Sequence, residues 1–199
     1  MRIRTVGFCI FMVCLALILP AQVFAAGAKE TVQTEVNKVL AALGDPAFKS
    51  KSREEKMAKI SSIIGGVFDY GELSKRTVGR DWKKMSAAQQ KEFIDLFSGL
   101  LQDVYADRLL AYSDEKIQFG KTKELKKGRV EVESSILMSN GSSALLNYRC
   151  IQKDGQWKVY DVVIEGISMV QNYRSQFKPI LSKGGPEELL KVLRKKVKS

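Results

Sequence analysis

The chain has 199 residues but no histidine, only three cysteines and only four prolines. Each scarcity removes a class of chemistry. Without histidine there is no Ser-His-Asp or Cys-His nucleophile, and no imidazole to move a proton near neutral pH. Zinc sites need Cys and His at set spacings and calcium loops need alternating acids; neither pattern occurs. The glycine pairs Gly65-Gly66 and Gly184-Gly185 lack the strand-to-helix setting in which a backbone loop cradles phosphate. The sequence therefore supplies no histidine-based catalytic set and no metal set, and no motif supports a lysine-based one. Cysteine is as sparse: Cys9 and Cys14 lie in an N-terminal apolar run, and only Cys150 stands beyond it. One thiol closes no internal disulfide, so stability has to come from packing. Within ALLNYRCIQ, Cys150 reads as a small buried apolar residue.

What is present begins with an address. MRIR, the apolar run VGFCIFMVCLALILP and the small-residue pattern AQVFA predict an export leader over residues 1–25, cleaved after Ala25. The run is too short, and its flanks are wrong, for a spanning helix. Residues 26–199 then form a single unit long enough for a sizeable core. Of 33 Lys and Arg against 22 Asp and Glu, Arg2 and Arg4 leave with the leader, so the exported chain carries about +9. That surplus suits anionic membrane surfaces or acidic proteins. Nucleic acid is not expected, because the chain is exported and shows neither zinc-finger spacing nor an RNP-like strand pair.

Apolar spacing divides the unit. Residues 28–112 read as mainly helical. Val32, Val36, Val39, Leu40 and Leu43 form one stripe, and Met57, Ile60, Ile63 and Ile64 form a second after the polar link DPAFKSKS. Short pieces interrupted at Gly71 and Gly79 follow. A long helix then opens on the capping box Ser86–Gln89 and carries a broad stripe from Phe93 to Leu109. Gly99 in its middle signals either a close neighbour or nothing at all. From residue 116 to 168 the period becomes 2: a short edge-like strand and three longer ones, turned at Asn140-Gly141 and at Lys153-Asp154-Gly155. In the last strand Trp157, Val159, Asp161, Val163 and Glu165 share one face, with Tyr160, Val162 and Ile164 on the other. Helices occupy 169–198, with Ser168 as cap, Pro179 distorting or ending the first, and Pro186 opening the next. The expected architecture is α+β: about four antiparallel strands packed with helices.

Asp161 and Glu165, four apart on a strand, stand about 13 Å apart at the usual strand rise, too far for a glycosidase pair. The positive signal is the apolar excess, which fits a filled core as well as a hollow one. Two function classes follow: a carrier of an apolar molecule, and a cationic envelope interaction module with a filled core and no ligand.

Two stretches carry a resemblance: DGQWKVYDVVIEGISMVQNYRSQF, and upstream LSKRTVGRDWKKMSAAQQKEFIDLFSGLLQDVYADRLLAY. Together they resemble the MlaC family of toluene-tolerance periplasmic proteins over nearly the whole exported chain, least in residues 28–52 and after Lys183. The resemblance implies a periplasmic phospholipid carrier, with lipid as cargo and no cofactor. It further implies traffic between an outer-membrane lipoprotein-porin complex and an inner-membrane MCE-type ABC transporter complex, in support of outer-membrane lipid asymmetry. The implied fold is an NTF2-like or cystatin-like curved sheet with a helical portion, acyl chains lying between the two. Candidate lining residues are Val67, Phe68, Leu73, Phe97, Leu101, Tyr105, Val162, Ile164, Ile167, Val170, Tyr173 and Phe177, each with core filling as its other role. Asp161, Glu165, Asn172 and Arg174 match polar positions of the signature. They make a polar junction between the last strand and helix, or a headgroup rim, with Arg174 either pairing with one of the acids or meeting lipid phosphate.

Overall fold

A computed structural model of the chain describes residues 21–111, 115–138 and 141–197. The first twenty residues of the expected leader, and Asn140 of the expected turn, lie outside the described residues. Helices and sheet follow one another as α1 (Ala21–Gly44), α2 (Pro46–Lys49), α3 (Arg53–Val67), α4 (Tyr70–Val78), a 3-10 turn (Gly79–Lys84), α5 (Ala87–Leu110), β1 (Lys116–Lys126), β2 (Arg129–Leu137), β3 (Ser143–Lys153), β4 (Gln156–Ile164), β5 (Ile167–Ser168) and α6 (Met169–Lys196). The sheet is antiparallel throughout, in the order β1-β2-β3-β4-β5.

Local chemistry explains most of the helix starts. Ser52 with Glu55 and Ser86 with Gln89 form reciprocal capping boxes on α3 and α5. Asp69 accepts from the Glu72 amide at 2.8 Å to start α4, which runs through Gly71 rather than breaking there. The polar link after α1 holds one helical turn, and its Phe48 is buried against Leu43 and Ile60. Pro179 does not end α6. Helical backbone continues past it and is interrupted only at Gly185, where φ is 65°, just before Pro186. The first strand is not short: at eleven residues it equals β3.

One correction changes which side chains face which way. In the β3–β4 ladder Cys150 pairs with Val159 while its neighbour Arg149 pairs with Asp161, so Tyr160 is an extra residue. This bulge reverses the alternation of β4. Val159, before it, shares the sheet face of Val162 and Ile164, after it. Asp161 is thereby parted from Val159, although an unbroken strand would set them side by side.

Three apolar clusters hold the elements together. One joins α4, α5 and α6 around Phe93, Phe97, Tyr173 and Phe177. A second seats Ala28 and Val32 of α1 on Val132, Cys150 and Val159 of the sheet. A third, around Leu43, Phe48 and Ile60, ties α1, α2 and α3 to the end of α5. Lys29 on α1 also donates to the Gly120 carbonyl at 3.0 Å, where β1 carries its own bulge.

Candidate functional site

The three clusters do not merge. Between them lies a cavity of about 610 Å³ whose walls draw on all three. Helix α1 contributes Val32, Val36, Val39, Leu40 and Leu43, and α3 contributes Met57, Ile60, Ile64 and Val67. Phe68 and Met169, which pack on both larger clusters, close its inner side. The sheet presents one face: Ile117, Ile136, Ala144, Leu146, Tyr148, Val159, Val162 and Ile164. The β4 bulge is what lets Val159 join Val162 and Ile164 there.

Burial runs in one direction along the sheet wall. Val132, Tyr148 and Val159, which pack with Val32 and Val67, are buried, whereas Ile136, Ala144 and Ile164 are half-buried and Met138 is 39% exposed. The cavity thus has a floor beneath α1 and a mouth at the end of the sheet formed by the close of β2, the start of β3 and the close of β4. The volume falls within the roughly 300–1,000 Å³ usual for a small-molecule site.

Polar groups are few in the wall. Burial raises the Tyr70 phenol above its ordinary value, against a hydrogen bond with the Gln102 side chain that pulls it down. The pair keeps a hydroxyl and an amide satisfied beside apolar neighbours. Burial also pushes the Cys150 thiol up to about 12, so it stays protonated and unreactive at neutral pH. Among the described residues no group of three or more His, Cys, Asp or Glu side chains comes together to hold a metal.

The residues singled out from sequence separate into two places. Val67, Phe68, Leu101, Tyr105, Val162 and Ile164 lie on the cavity wall. Leu73, Phe97, Val170, Tyr173 and Phe177 lie in the helical core, where the rings of Phe97 and Tyr173 meet edge to face at 5.0 Å. Ile167 is 64% exposed at the sheet end. The polar four also part company. Asp161, 1% exposed, accepts from Ser168 Oγ at 2.6 Å, from the Val170 amide at 3.0 Å and from Arg149 at 3.2 Å. It fixes the start of α6 on β4, with Arg149 rather than Arg174 as its cation; Arg149 also holds Glu131 at 2.7 Å. Glu165, at φ 49° in the β4–β5 turn, accepts from the Leu145 amide at 2.5 Å. Arg174 donates to the Arg76 carbonyl at 2.9 Å, closing the C-terminal end of α4. Asn172 is exposed and accepts from Gln176.

The sequence-based set missed the whole α1 wall, most of the α3 wall and the sheet residues before Val162. The signal of the helical part was visible as the two apolar stripes 32–43 and 57–64. Periodicity, however, says that a face is covered and not what covers it. Taken together, the arrangement offers burial to an apolar molecule, while both signature acids are engaged elsewhere.

Comparison with known proteins agrees with this geometry. The family model described as MlaC protein matches residues 33–195. The intermembrane phospholipid transport system binding protein MlaC of Haemophilus influenzae is 34% identical over 119 residues, 58% of this chain and 56% of that protein. A toluene tolerance protein of Pseudomonas putida is 26% identical over 63% of this chain and 59% of its own length. The chain thus spans a little under three fifths of the curated relatives it matches. A phospholipid-binding protein from Ralstonia solanacearum, solved in complex with a phospholipid, superimposes with a TM-score of 0.79 at 28% identity. That superposition covers 85% of this chain and 96% of the other. With the family model matched from the middle of α1 to the last turn of α6, the chain belongs to the MlaC family.

Proposed function

We propose that this protein is a periplasmic phospholipid carrier, exported by a leader cleaved after Ala25 and working as a single unit over residues 26–199. It is a binding protein, not an enzyme, and the lipid is cargo rather than cofactor. One observation carries the reading: a cavity of about 610 Å³, walled almost wholly by aliphatic and aromatic side chains, in a fold shared with a protein solved in complex with a phospholipid. The mechanism is burial. Each methylene removed from water contributes about 0.8 kcal/mol, so acyl chains are held without covalent chemistry and do not escape into water at a useful rate. Release therefore needs an acceptor that opens or replaces the wall. On this reading the lipid passes between an outer-membrane lipoprotein-porin complex and an inner-membrane MCE-type ABC transporter complex.

Within the cavity we assign acyl contact to Val67, Phe68, Leu101, Tyr105, Val162 and Ile164, and a packing role to Leu73, Phe97, Val170, Tyr173 and Phe177. We also read the sheet as a curved, NTF2-like or cystatin-like wall. Two register shifts between β1 and β2 and one between β3 and β4 favour bending of those strands. Native mass spectrometry and organic extraction of freshly purified protein test the carrier reading. Stoichiometric co-purifying phospholipid is the expected result. Protein that emerges lipid-free and takes up none from vesicles would instead be a cationic interaction module.

A further inference from the structure

The wall of the cavity carries charge at Glu35, Arg108 and Glu115. Two of these are committed: Glu35 binds Lys38 at 2.7 Å, and Glu115 has an interaction partner of its own. Arg108 is the cation of the three, and no hydrogen bond or ion pair engages it among the described residues. Its neighbour Asp107 does not neutralise it, being held by Arg53 at 3.1 Å. Helix α5 places Arg108 by the same stripe that lines the cavity. Leu101 is buried, Tyr105 is half-buried, and Arg108, one turn further, is exposed at the mouth. Arg174, the other candidate for an anion, is spent on the end of α4.

Building on the carrier reading, we propose that Arg108 is the phosphate contact of the bound lipid. A molecule whose acyl chains lie toward the floor beneath α1 carries its phosphodiester to the mouth, where the guanidinium waits. The planar fork of donors on Arg matches the two free oxygens of a phosphodiester, and such pairs are about twice as strong as neutral hydrogen bonds. Solvent reaches the site, so the contribution is modest and orients the lipid more than it retains it. Arg108 also lies in the last turn of α5, where a cation favours the helix dipole. That second role affects folding and not the choice of ligand, which separates the two.

The test uses the full exported chain, delipidated and then exposed to vesicles holding a phospholipid and a diacylglycerol with the same acyl chains. Native mass spectrometry reads the ratio bound. Wild type is expected to favour the phospholipid. Arg108→Met, which keeps the stem and loses the charge, should cut that preference roughly three- to tenfold with only a small loss of Tm from the helix end, and Arg108→Lys should keep part of it. A folded Arg108→Met with the full wild-type preference overturns the proposal. Inorganic phosphate, which has no tails, should show no Arg108-dependent binding to the delipidated protein. Arg108-dependent phosphate binding as tight as that of lipid would make this a free-anion site and overturn the headgroup assignment. Wild type that binds neither lipid removes the carrier reading itself, an outcome distinct from wild type and variant binding both lipids alike.

Discussion

At the scale of single residues, what a side chain does depends on which space it meets. Ile164 and Val170 lie six positions apart and are equally apolar, yet one faces the cavity and the other the helical core. Replacing Ile164 with Trp should fill ligand space and lower bound lipid severalfold with little loss of stability. Val170→Trp should instead overpack the start of α6 and cost about 1–3 kcal/mol. Thermal unfolding measured beside extracted lipid distinguishes them, and equal behaviour of the two variants would count against the placement. A second prediction concerns alkaline pH. Burial raises Cys150 from 9.0 to about 12, and burial likewise raises the Tyr148 phenol. The folded chain keeps protons that the unfolded chain has released, so the stability from these groups is complete below pH 9 and is lost as pH rises toward 12. Urea midpoints should fall across that window, and less steeply in Cys150→Ala, whose overall stability is lower. An equal slope in the variant would show that other groups carry the effect.

At the scale of elements, two glycines answer in opposite directions. A β-carbon at Gly99, in the middle of α5, would sit 3.8 Å from Val197 Cγ1, an ordinary contact. Gly99→Ala should therefore stabilise the protein by about 0.5–1 kcal/mol through helix propensity and the unfolded chain. Gly185 holds φ 65° at the break in α6, and Gly184 beside it is closed against Glu188, whose Cβ lies 2.5 Å from the place of an added methyl. Gly185→Ala should cost about 1 kcal/mol or more. The consequence reaches beyond the turn, because the break returns Leu189, Leu190 and Leu193 to the helical core and brings Arg194 to Glu92 at 2.6 Å. Denaturant midpoints of the two variants, compared with wild type, give the signs directly.

At the scale of the whole molecule, the proposed holding and delivery of cargo rest on different physics. On the carrier reading, acyl chains are held by apolar burial, which salt does not screen, while encounter is guided by the surplus of about +9 expected for residues 26–199. Raising salt should slow transfer to anionic vesicles or acceptor complexes and leave the bound lipid unchanged. Lys195→Glu, at an exposed position near the end of α6, should lower the rate at low salt and flatten its salt dependence. Wild-type rates at every salt level would move the docking face away from the C-terminal end. Arg194, in the same basic cluster, is not part of this surplus in the same sense, since Glu92 and Glu187 hold it.

Sequence alone determined the succession of a helical part, an antiparallel sheet and closing helices, the capping box Ser86–Gln89, the expectation of an export leader, the buried character of Cys150 and the absence of histidine chemistry. All of these are set by residues close along the chain or by composition. It left open whether the apolar excess was solid or hollow. That was decided by three clusters that approach without merging, and the separation between elements far apart in sequence leaves no mark on periodicity. The partner of Asp161 was hidden for a related reason. A single bulged residue, Tyr160, turns β4 over, brings Val159 to the cavity and gives Asp161 to Arg149 on the adjoining strand. The placing of Phe97 and Tyr173 followed the same limit. Along α5 each step of four residues drifts about 40° around the axis, so one broad stripe serves α6 near Phe97 and the cavity by Tyr105. Only the positions of the neighbouring elements could divide that stripe between core and cavity.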